Sequence, residues 1–588
     1  MSEAVSSTGQ KSPEEGRLCN KVIDDIRRIG NKEDYKGRYC PTQSAKEKSV
    51  MKYLTGLAED ICRKHRVPGD LLQIQRDPFG SLYIVLRGKK DEEGVCLFSH
   101  VDAVENGGAY DGVLGVAQGM EALDAHAHLY ANEDARPDKS LVVIAFAGEE
   151  SSYSQVACAG SSAAGGQLNQ EKIQAIKRNL KEQGIEVDED WVENVATMQN
   201  APWLQDGKLY LGGKKDGDTG ITLKAKESHI EQWKLLLEAG MDIGIVTGIA
   251  GARRWNLSLP ADKITKAHDI PVEKQALITV TINGEALHTG GTPPNRTQDI
   301  NEEKPGEWNR KDALLASSAF LKAFDDIEAL KKAHLTNITN GKDMGHTVIP
   351  CLQTLTFVCD RNDKETFLAE LGRIKDSVEK RKGVSINVQQ SNESAKGTQC
   401  LDREKVLSVM GIAEAIETVA REDSEASQEF HRGNLRMTMT DFSVSQEKGL
   451  SAKIDARVND KKAIDKSVAT VQNATREALK TLGNELEETL TQIAGSEPVE
   501  MSAEIIQKLE KIAEALELNA VRMKLNPGHD ARTLAQLNFI VGMIAVVHEG
   551  PSHCPHESCP EKKIENACRL TNAFVTSLLE TTEETASL

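Results

Sequence analysis

The sequence lacks an apolar stretch long enough to cross a membrane. Its longest uninterrupted apolar run near the C-terminus covers only residues 539–547, whereas a membrane-spanning helix needs about 20 apolar residues. The first 16 residues are polar, rich in Ser and Glu, and without the apolar region of a signal peptide. We therefore expect no membrane partner, and we predict that residues 1–17 form a disordered tail.

A basic surface and a regular cysteine framework are absent as well. The 588 residues include 72 Lys and Arg but 90 Asp and Glu, which gives a formal net charge of −18. Nucleic acids and anionic membranes bind positively charged surfaces, so this charge argues against both as partners. The 11 cysteines are odd in number and scattered. They favour free thiols in a reducing cytoplasm over a set of disulfides.

What the sequence does contain is an alternation of strand and helix patterns. Short apolar runs indicate strands, and longer stretches with apolar residues at helical spacing indicate helices. The strand patterns cover residues 71–75, 82–86, 95–98 and 140–147, and the helix patterns cover residues 18–29, 45–65 and 113–131. This order predicts an α/β domain whose mainly parallel sheet has helices on both faces. Further on, a helical pattern begins at His229.

Two of the predicted strands end in side chains that can bind metal. The first leads to His100 and Asp102, which face the same way on an extended chain, so the carboxylate can orient a metal-binding imidazole. A glycine-rich turn then returns Asp111 to the strand end. The second strand leads to Glu149 and Glu150, which face opposite ways, so one can bind metal while the other acts as a base. Ligands gather at the carboxyl ends of such strands, so one shared site is predicted.

These motifs, together with others downstream, resemble the M20 metallopeptidase superfamily. Within it, the chain is most similar to the branch of N-carbamoyl-L-amino-acid hydrolases, β-ureidopropionases and allantoate amidohydrolases. The branch-specific likeness lies in residues 228–232 and 237–255, in residues 290–293 after His288, in Gly528-His529-Asp530-Ala531, and in Ser552-His553-x-Pro555-x-Glu557. The resemblance extends, with interruptions, over most of residues 18–579.

The resemblance implies a site with two divalent metal ions. Three histidines and two carboxylates suit Zn²⁺, Mn²⁺ or Co²⁺, and these residue types do not distinguish among the three metals. The resemblance assigns Asp111 as the bridging ligand, His100 and His229 to the first ion, and Glu150 and His553 to the second. Asp102 would orient His100. Glu149 would be the general base for a hydroxide that bridges the metals, and His288 would stabilise the oxyanion.

The implied reaction is cleavage of the C–N bond of an N-carbamoyl amino acid or a related ureido acid. The alternative is an M20 dipeptidase or aminoacylase that cuts a peptide-type amide. Either substrate bears a carboxylate, which an arginine would clamp bidentately. Arg361 and Arg457 are both candidates for that clamp, with Arg361 preferred, and Gln232 is a candidate pocket residue. Three departures from the family pattern leave the substrate open: Ser151, Trp233 and Thr347.

The resemblance also implies a zinc-exopeptidase-like catalytic domain interrupted by a ferredoxin-like α+β lid. We place the catalytic domain in residues 18–274 and 495–588, and the lid in residues 275–390. Residues 391–494 read as a second, degenerate copy of the lid, because residues 455–461 echo residues 360–364; an unrelated helical insertion is the alternative. A family lid pairs with a partner subunit, which favours a homodimer. A monomer with a pseudo-dimeric lid is the other possibility.

Overall fold

A computed structural model describes residues 16–29, 31, 37–90, 92–105, 107–284, 311–340, 349–391, 399–426, 435–480, 482–483 and 486–580. Four features of the sequence analysis lie wholly or largely outside these residues. They are His288, the segment 290–293, Thr347, and the predicted tail, of which only the last two residues are described.

The strands and helices alternate along much of the described chain. The strands are β1 (Leu72–Arg76), β2 (Leu82–Leu86), β3 (Glu93–His100), β4 (Ser140–Phe146), β5 (Leu204–Gln205), β6 (Lys208–Leu209), β7 (Ile221–Ile230), β8 (Ile243–Ile249), β9 (Gly251–Leu259), β10 (Thr265–Ala267), β11 (Gln275–Asn283), β12 (His334–Asn340), β13 (Leu352–Asp360), β14 (Ser385–Ser391), β15 (Gln399–Leu401), β16 (Leu435–Ser445), β17 (Gly449–Val458), β18 (Leu490–Ser496), β19 (Val499–Glu500), β20 (Ala520–Leu525) and β21 (Ile540–Val546). The α-helices are α1 (Arg17–Arg28), α2 (Ala45–His65), α3 (Val113–Tyr130), α4 (Ser151–Ser154), α5 (Ala159–Ala164), α6 (Gln170–Glu182), α7 (Trp191–Thr197), α8 (Leu235–Glu238), α9 (Ala261–Ile264), α10 (Ala313–Asp325), α11 (Lys364–Lys382), α12 (Arg403–Ala426), α13 (Lys461–Leu479), α14 (Leu486–Thr489), α15 (Ala503–Ala515), α16 (Asp530–Gln536) and α17 (Glu561–Leu579).

The chain divides into two compact units. The first unit contains the residues up to Ile249, Val499–Lys524 and the residues from Gly528 onwards. The second unit contains Ala250–Pro498 and Leu525–Pro527. The sequence analysis placed the start of the inserted part later, at Gln275. The difference arises because β9, which follows the first unit directly, pairs with β17 and β18 of the second unit.

The first unit is built on a mixed sheet with a parallel centre. The strand order is β1-β2-β4-β3-β7-β21-β8-β19. Pairing is parallel from β4 through β3 and β7 to β21, and it is antiparallel where β2 meets β4 and where β8 meets β21. The central strands are buried and strongly apolar, as expected of a sheet covered on both faces. The predicted α/β class is confirmed.

Two further observations concern the described chain as a whole. None of the helices in the described part of the chain combines the length and the hydropathy that a bilayer crossing requires. All 11 cysteines are free thiols, and most of them are buried.

Helix α3 approaches the parallel strands closely at Gly115. A Cβ atom there would lie 2.1 Å from the carbonyl oxygen of Ser228 and 2.7 Å from Cβ of Ser99. We expect Gly115→Ala to destabilise the protein by about 1–3 kcal/mol, because the helix must move away from the sheet. Gly56→Ala in α2 is the matched control, since no atom beyond its own stretch of helix lies within 4 Å of its Cβ position. It should be neutral or stabilising by up to about 1 kcal/mol. Thermal unfolding midpoints measure both, and equal midpoints would contradict this packing argument.

The second unit contains an eight-stranded antiparallel sheet, in the order β14-β11-β13-β12-β16-β17-β9-β18. Along the chain, one half runs β11-α10-β12-β13-α11-β14, and the other runs β9-α12-β16-β17-α13-β18. Both halves therefore have a β-α-β-β-α-β order along the chain. Counted outward from the junction, their strands also follow the same order in the sheet. The two halves meet where β12 pairs with β16, at Asn337↔Ser445 and Ile338↔Val444.

One strand of this unit is not apparent from its sequence. Strand β13 pairs with β12, while Ile349–Cys351, which directly precede β13, lie outside any strand. The β12 sequence, His-Leu-Thr-Asn-Ile-Thr-Asn, contains only two apolar residues. Its neighbours on both sides, β13 and β16, hold it in the sheet, and that information is not local to its sequence.

Candidate metal centre

Four adjacent parallel strands carry the site at one edge of the first unit's sheet. In spatial order, β4 leads to Glu150, β3 ends at His100, β7 contains His229 near its end, and β21 leads to His553. Parallel strands present their carboxyl ends together, so these side chains converge although they are far apart in sequence. The sequence analysis was wrong about His229, which lies in a strand and not at the start of a helix.

The first group of converging atoms consists of His100, Asp111 and His229. The Nε2 atoms of the two histidines are 3.2 Å apart. Asp111 Oδ1 lies 3.4 Å from His100 Nε2 and 3.3 Å from His229 Nε2. All three side chains are almost completely buried.

The second group shares Asp111 and adds Glu150 and His553. His553 Nε2 lies 3.2 Å from Glu150 Oε1 and 3.6 Å from Asp111 Oδ2. Asp111 therefore directs one carboxylate oxygen to each group. Among the described residues, these are the two groups whose ligand atoms all lie within 4.8 Å of one another.

This spacing fits a metal better than it fits hydrogen bonding. A tetrahedral Zn²⁺ ion with bonds of about 2.0–2.1 Å needs ligand atoms about 3.3–3.4 Å apart. The first group has this spacing. Asp111 Oδ1 is buried and makes no hydrogen bond within the described chain, although two imidazoles face it. The donor set therefore suits a candidate centre for two metal ions that share one carboxylate.

The charges of the site favour cations. Burial alone would lower the pKa of His553, but Glu150 and Asp111 raise it to about 10. Burial would raise the pKa of Asp111, but His229 and His100 hold it well below its ordinary value. The raised pKa of His553 reports the negative field of Glu150 and Asp111, and the lowered pKa of Asp111 keeps that carboxylate ionised. Divalent cations are stabilised by the same field.

Asp102 links the end of β3 to the backbone that follows β4. Its Oδ1 lies 3.5 Å from His100 Nδ1, and its two oxygens accept the backbone N–H groups of Glu149 and Glu150 at 3.0 Å each. It thus contacts the metal-facing histidine from behind and fixes the backbone of both glutamates. Such a carboxylate sets the tautomer and orientation of a ligand histidine.

Glu149 lies beside the centre without belonging to either group. Its Oε2 is 3.9 Å from His100 Nε2, and its Oε1 accepts a hydrogen bond from Cys158 Sγ at 3.4 Å. Burial, reinforced by the charge of Glu150 and offset in part by His100, raises the pKa of Glu149 well above its ordinary value. A carboxylate with a raised pKa next to a metal centre suits proton transfer.

Two further side chains fix Asp111 itself. Gln232 donates from Nε2 to Asp111 Oδ2 at 2.9 Å. Glu557 accepts the backbone N–H groups of Tyr110 and Asp111 at 2.9 and 3.1 Å. Gly112 follows with φ +70°, and a Cβ atom there would lie 2.5 Å from the His100 ring. Only glycine allows the turn to approach the histidine this closely.

The two candidate arginines belong to the second unit. Arg361 is exposed, and its Nε donates to the backbone oxygen of Gln275 at 3.0 Å. Arg457 is buried in the second unit, where its Nε donates to Asp455 at 2.7 Å. The sequence analysis missed the contact of Cys158 with Glu149, and it missed Arg38, which binds the loop that carries Asp111. Neither stands in a pattern that signals its contact.

The geometry defines a candidate two-metal centre of the kind that metal-dependent hydrolases use. Residues 96–577 match the model of peptidase family M20/M25/M40. The chain belongs to this family, and the predicted family is thereby confirmed.

Curated relatives resemble only parts of the chain. An N-carbamoyl-L-amino-acid amidohydrolase from Pseudomonas sp. (strain NS671) is 32% identical over 200 residues, which cover 32% of this chain and 42% of the relative. A ureidoglycolate hydrolase from Arabidopsis thaliana is 30% identical over 186 residues, 30% of this chain and 35% of the relative. These matches span less than half the length of either relative.

A solved structure covers nearly the whole chain. It is an amidase of the hydantoinase/carbamoylase family from Burkholderia vietnamiensis, with a TM-score of 0.52 and 16% identity over 97% of this chain and 98% of that one. At this identity the likeness concerns the fold alone.

Proposed function

We propose that the protein is a two-metal amidohydrolase that cleaves the C–N bond of an N-carbamoyl amino acid or a related ureido acid. The observation that carries the proposal is the pair of ligand groups sharing Asp111, with Glu149 beside them. The names of the Pseudomonas and Arabidopsis relatives support the substrate class. Three imidazoles and two carboxylates accept Zn²⁺, Mn²⁺ or Co²⁺. The free thiols support a reducing compartment such as the cytoplasm.

Each residue of the centre has a distinct task in this proposal. His100, His229, Glu150 and His553 would hold two ions on either side of Asp111. Bound ions would activate a water molecule and polarise the substrate carbonyl. Glu149 would take the proton from the attacking water and return it to the leaving nitrogen.

His288 keeps the role that the resemblance implies. As a hydrogen-bond donor it would stabilise the negative charge that develops on the carbonyl oxygen.

A substrate screen with added Mn²⁺ or Zn²⁺ tests the proposed function. The panel contains N-carbamoyl amino acids, allantoate, ureidoglycolate and dipeptides, with Glu149→Gln as the background control. Hydrolysis of N-carbamoyl substrates releases ammonia and CO₂, whereas hydrolysis of dipeptides releases only amino acids. Turnover of dipeptides alone would replace the proposal by the peptidase alternative. No turnover of any amide by the metal-loaded protein would refute both.

We propose further that Arg457, and not Arg361, binds the substrate carboxylate. The sequence analysis kept both candidates and preferred Arg361. Arg457 is buried on the second unit's sheet, and Asp455 lies between it and Arg254 at 2.7 and 3.0 Å. Burial would raise the pKa of Asp455, but the two arginines lower it to about 2. A guanidinium held in place by a fixed carboxylate loses little freedom when it binds a second anion, whereas the exposed Arg361 side chain lacks such a frame.

Arg457→Lys is expected to raise KM for a carboxylate substrate about 10–100-fold, because one bidentate, charge-assisted contact is lost. Arg361→Lys is the matched control and should leave KM unchanged. Steady-state kinetics with the substrate found in the screen measure both, with melting midpoints to show that each variant is folded. A raised KM in Arg361→Lys alone would assign the clamp to Arg361.

We also propose that the eight-stranded sheet is a duplicated lid. The two halves share their β-α-β-β-α-β order, and helices α10 and α12 pack across the junction, where Ser318 donates to Glu414 at 2.6 Å. The edge strand β12 of one half is already paired with β16 of the other. That edge is therefore not open to a second chain, which favours a monomer over the homodimer expected from the sequence.

Light scattering at low micromolar concentration is expected to give the mass of a single chain, 64.3 kDa. Activity per chain should not change on dilution. A stable double mass would contradict the monomer and would show that subunits meet through a different surface.

A further inference from the structure

Arg38 is among the largest side chains that the fold buries completely, with 1% of its surface exposed. Its guanidinium lies against the loop that joins the end of β3 to Asp111. Nη1 donates to the carbonyl oxygen of Val101 at 3.0 Å. Nη2 donates to the carbonyl oxygens of Asp102 at 2.9 Å and of Asp111 at 3.3 Å.

The backbone around Arg38 holds the same loop. Its N–H donates to the carbonyl oxygen of Gly107 at 2.7 Å, and the N–H of Ala103 donates to the carbonyl oxygen of Cys40 at 2.8 Å. The segment also lies tightly against its surroundings, since a Cβ atom on Gly37 would lie 2.6 Å from the Gly107 oxygen. Residues 37–40 therefore contact the loop both at Ala103 and at Gly107.

The three acceptors of the guanidinium are main-chain carbonyls, so its contacts govern the course of the loop. Val101 and Asp102 follow His100 directly, while Asp111 lies at the far end of the loop. One planar, rigid group thus joins the two ends. A lysine ammonium is a compact point charge that lacks the fixed fork needed to span them.

The consequence concerns the metal ligands. The His100 Nε2 to Asp111 Oδ1 spacing of 3.4 Å depends on where the two loop ends lie. Asp111 supplies an oxygen to both ligand groups, so any drift of its backbone affects both ions. Groups that support ligands in this way change metal affinity or activity by about 10–100-fold when they are removed.

We propose that Arg38 is a positioning residue of the metal centre, whose guanidinium fixes the ligand spacing between His100 and Asp111. The inference rests on the proposed two-metal function. It assigns a role to Arg38, whose guanidinium donates to main-chain oxygens and not to the atoms of the two ligand groups.

Metal titration by calorimetry on the metal-free full chain tests the inference, with Zn²⁺ and Mn²⁺ as the probes. The variants are Arg38→Lys, Arg38→Met and Arg38→Ala. We expect a loss of affinity of about 10–100-fold in the first two. In Arg38→Ala, millimolar guanidinium should restore part of the affinity, whereas the same concentration of ammonium should not.

A second readout separates positioning from general stability. Melting midpoints are measured with and without metal, and the difference between them reports how far metal binding stabilises the fold. A positioning role predicts that this difference shrinks in the Arg38 variants. A residue that only stabilised the fold would lower both midpoints equally.

Tyr39→Phe is the matched control, because it changes the neighbouring side chain, which is 38% exposed, and leaves Arg38 in place. It should bind metal like the parent protein. If Arg38→Lys and Arg38→Met bound metal as tightly as the parent protein and were stabilised by it as much, this inference would be overturned and the two-metal function would stand. A parent protein that binds no metal would overturn the two-metal function and this inference with it. If Arg38→Met does not fold, Arg38→Ala with and without guanidinium decides on the same criteria.

Discussion

Replacing Glu149 by glutamine is expected to abolish turnover while both metal ions stay bound. The amide keeps the size of the side chain but cannot accept a proton, and a positioned general base contributes about 10²–10⁴-fold to the rate. Glu149 lies 3.9 Å from His100 Nε2 and belongs to neither ligand group. The measurement is kcat on the substrate found in the screen, together with the metal content per chain.

Glu150→Gln is the matched control at the neighbouring position. Glu150 Oε1 lies 3.2 Å from His553 Nε2 within the second ligand group, so this variant should lose metal as well as activity. The two variant proteins should therefore differ in metal content, although each substitution removes one negative charge. If Glu149→Gln lost metal and Glu150→Gln kept both ions, the two roles would be exchanged.

The sequence revealed the strands that end at the site because those strands are parallel and buried. β4 reads Ser-Leu-Val-Val-Ile-Ala-Phe and is buried along its whole length, so its apolar run is continuous. The same holds for most of β3 before His100. Side chains that follow such runs must lie at the sheet edge, and this makes Glu149, Glu150 and Asp102 accessible to reasoning from the sequence.

β7 could not be recognised in this way because polar side chains interrupt it. It contains Lys226, Glu227 and Ser228 immediately before His229, all buried. Lys226 donates to Thr571 Oγ1 at 2.9 Å, and Glu227 accepts the N–H of Ala531 at 2.7 Å. The partners come from more than 300 positions further along the chain. A buried polar strand is stable only with such partners, and a local pattern does not contain them.

The order of the second unit was hidden for a similar reason. Strand β9 pairs with β17, for example Trp255 with Ile454, although the whole of the other half of the sheet lies between them in sequence. Reading forward from Gln275 therefore finds one complete half and then a half that lacks its first strand. The second half looks degenerate in sequence for that reason, because its first strand, β9, precedes the whole of the first half in the chain.

Replacing Asp111 by asparagine is expected to remove both metal ions at once. Asp111 Oδ1 belongs to the first ligand group and Oδ2 to the second, so it is the ligand that the two groups share. An amide offers one neutral oxygen in place of two that share a negative charge, and divalent ions are bound far less strongly by it. Metal content should fall by two ions per chain, and activity should disappear.

His229→Ala and His553→Ala provide the comparison, because each removes a ligand from one group only. Each should lower the metal content by one ion and leave the other site measurable by titration. Glu557→Gln is the matched control for loss of a buried carboxylate: it contacts the backbone of Tyr110 and Asp111 but supplies no ligand atom to either group. Its amide oxygen can still accept both N–H groups, so this variant should keep two ions. Retention of one full ion in Asp111→Asn would show that the two sites do not share this carboxylate.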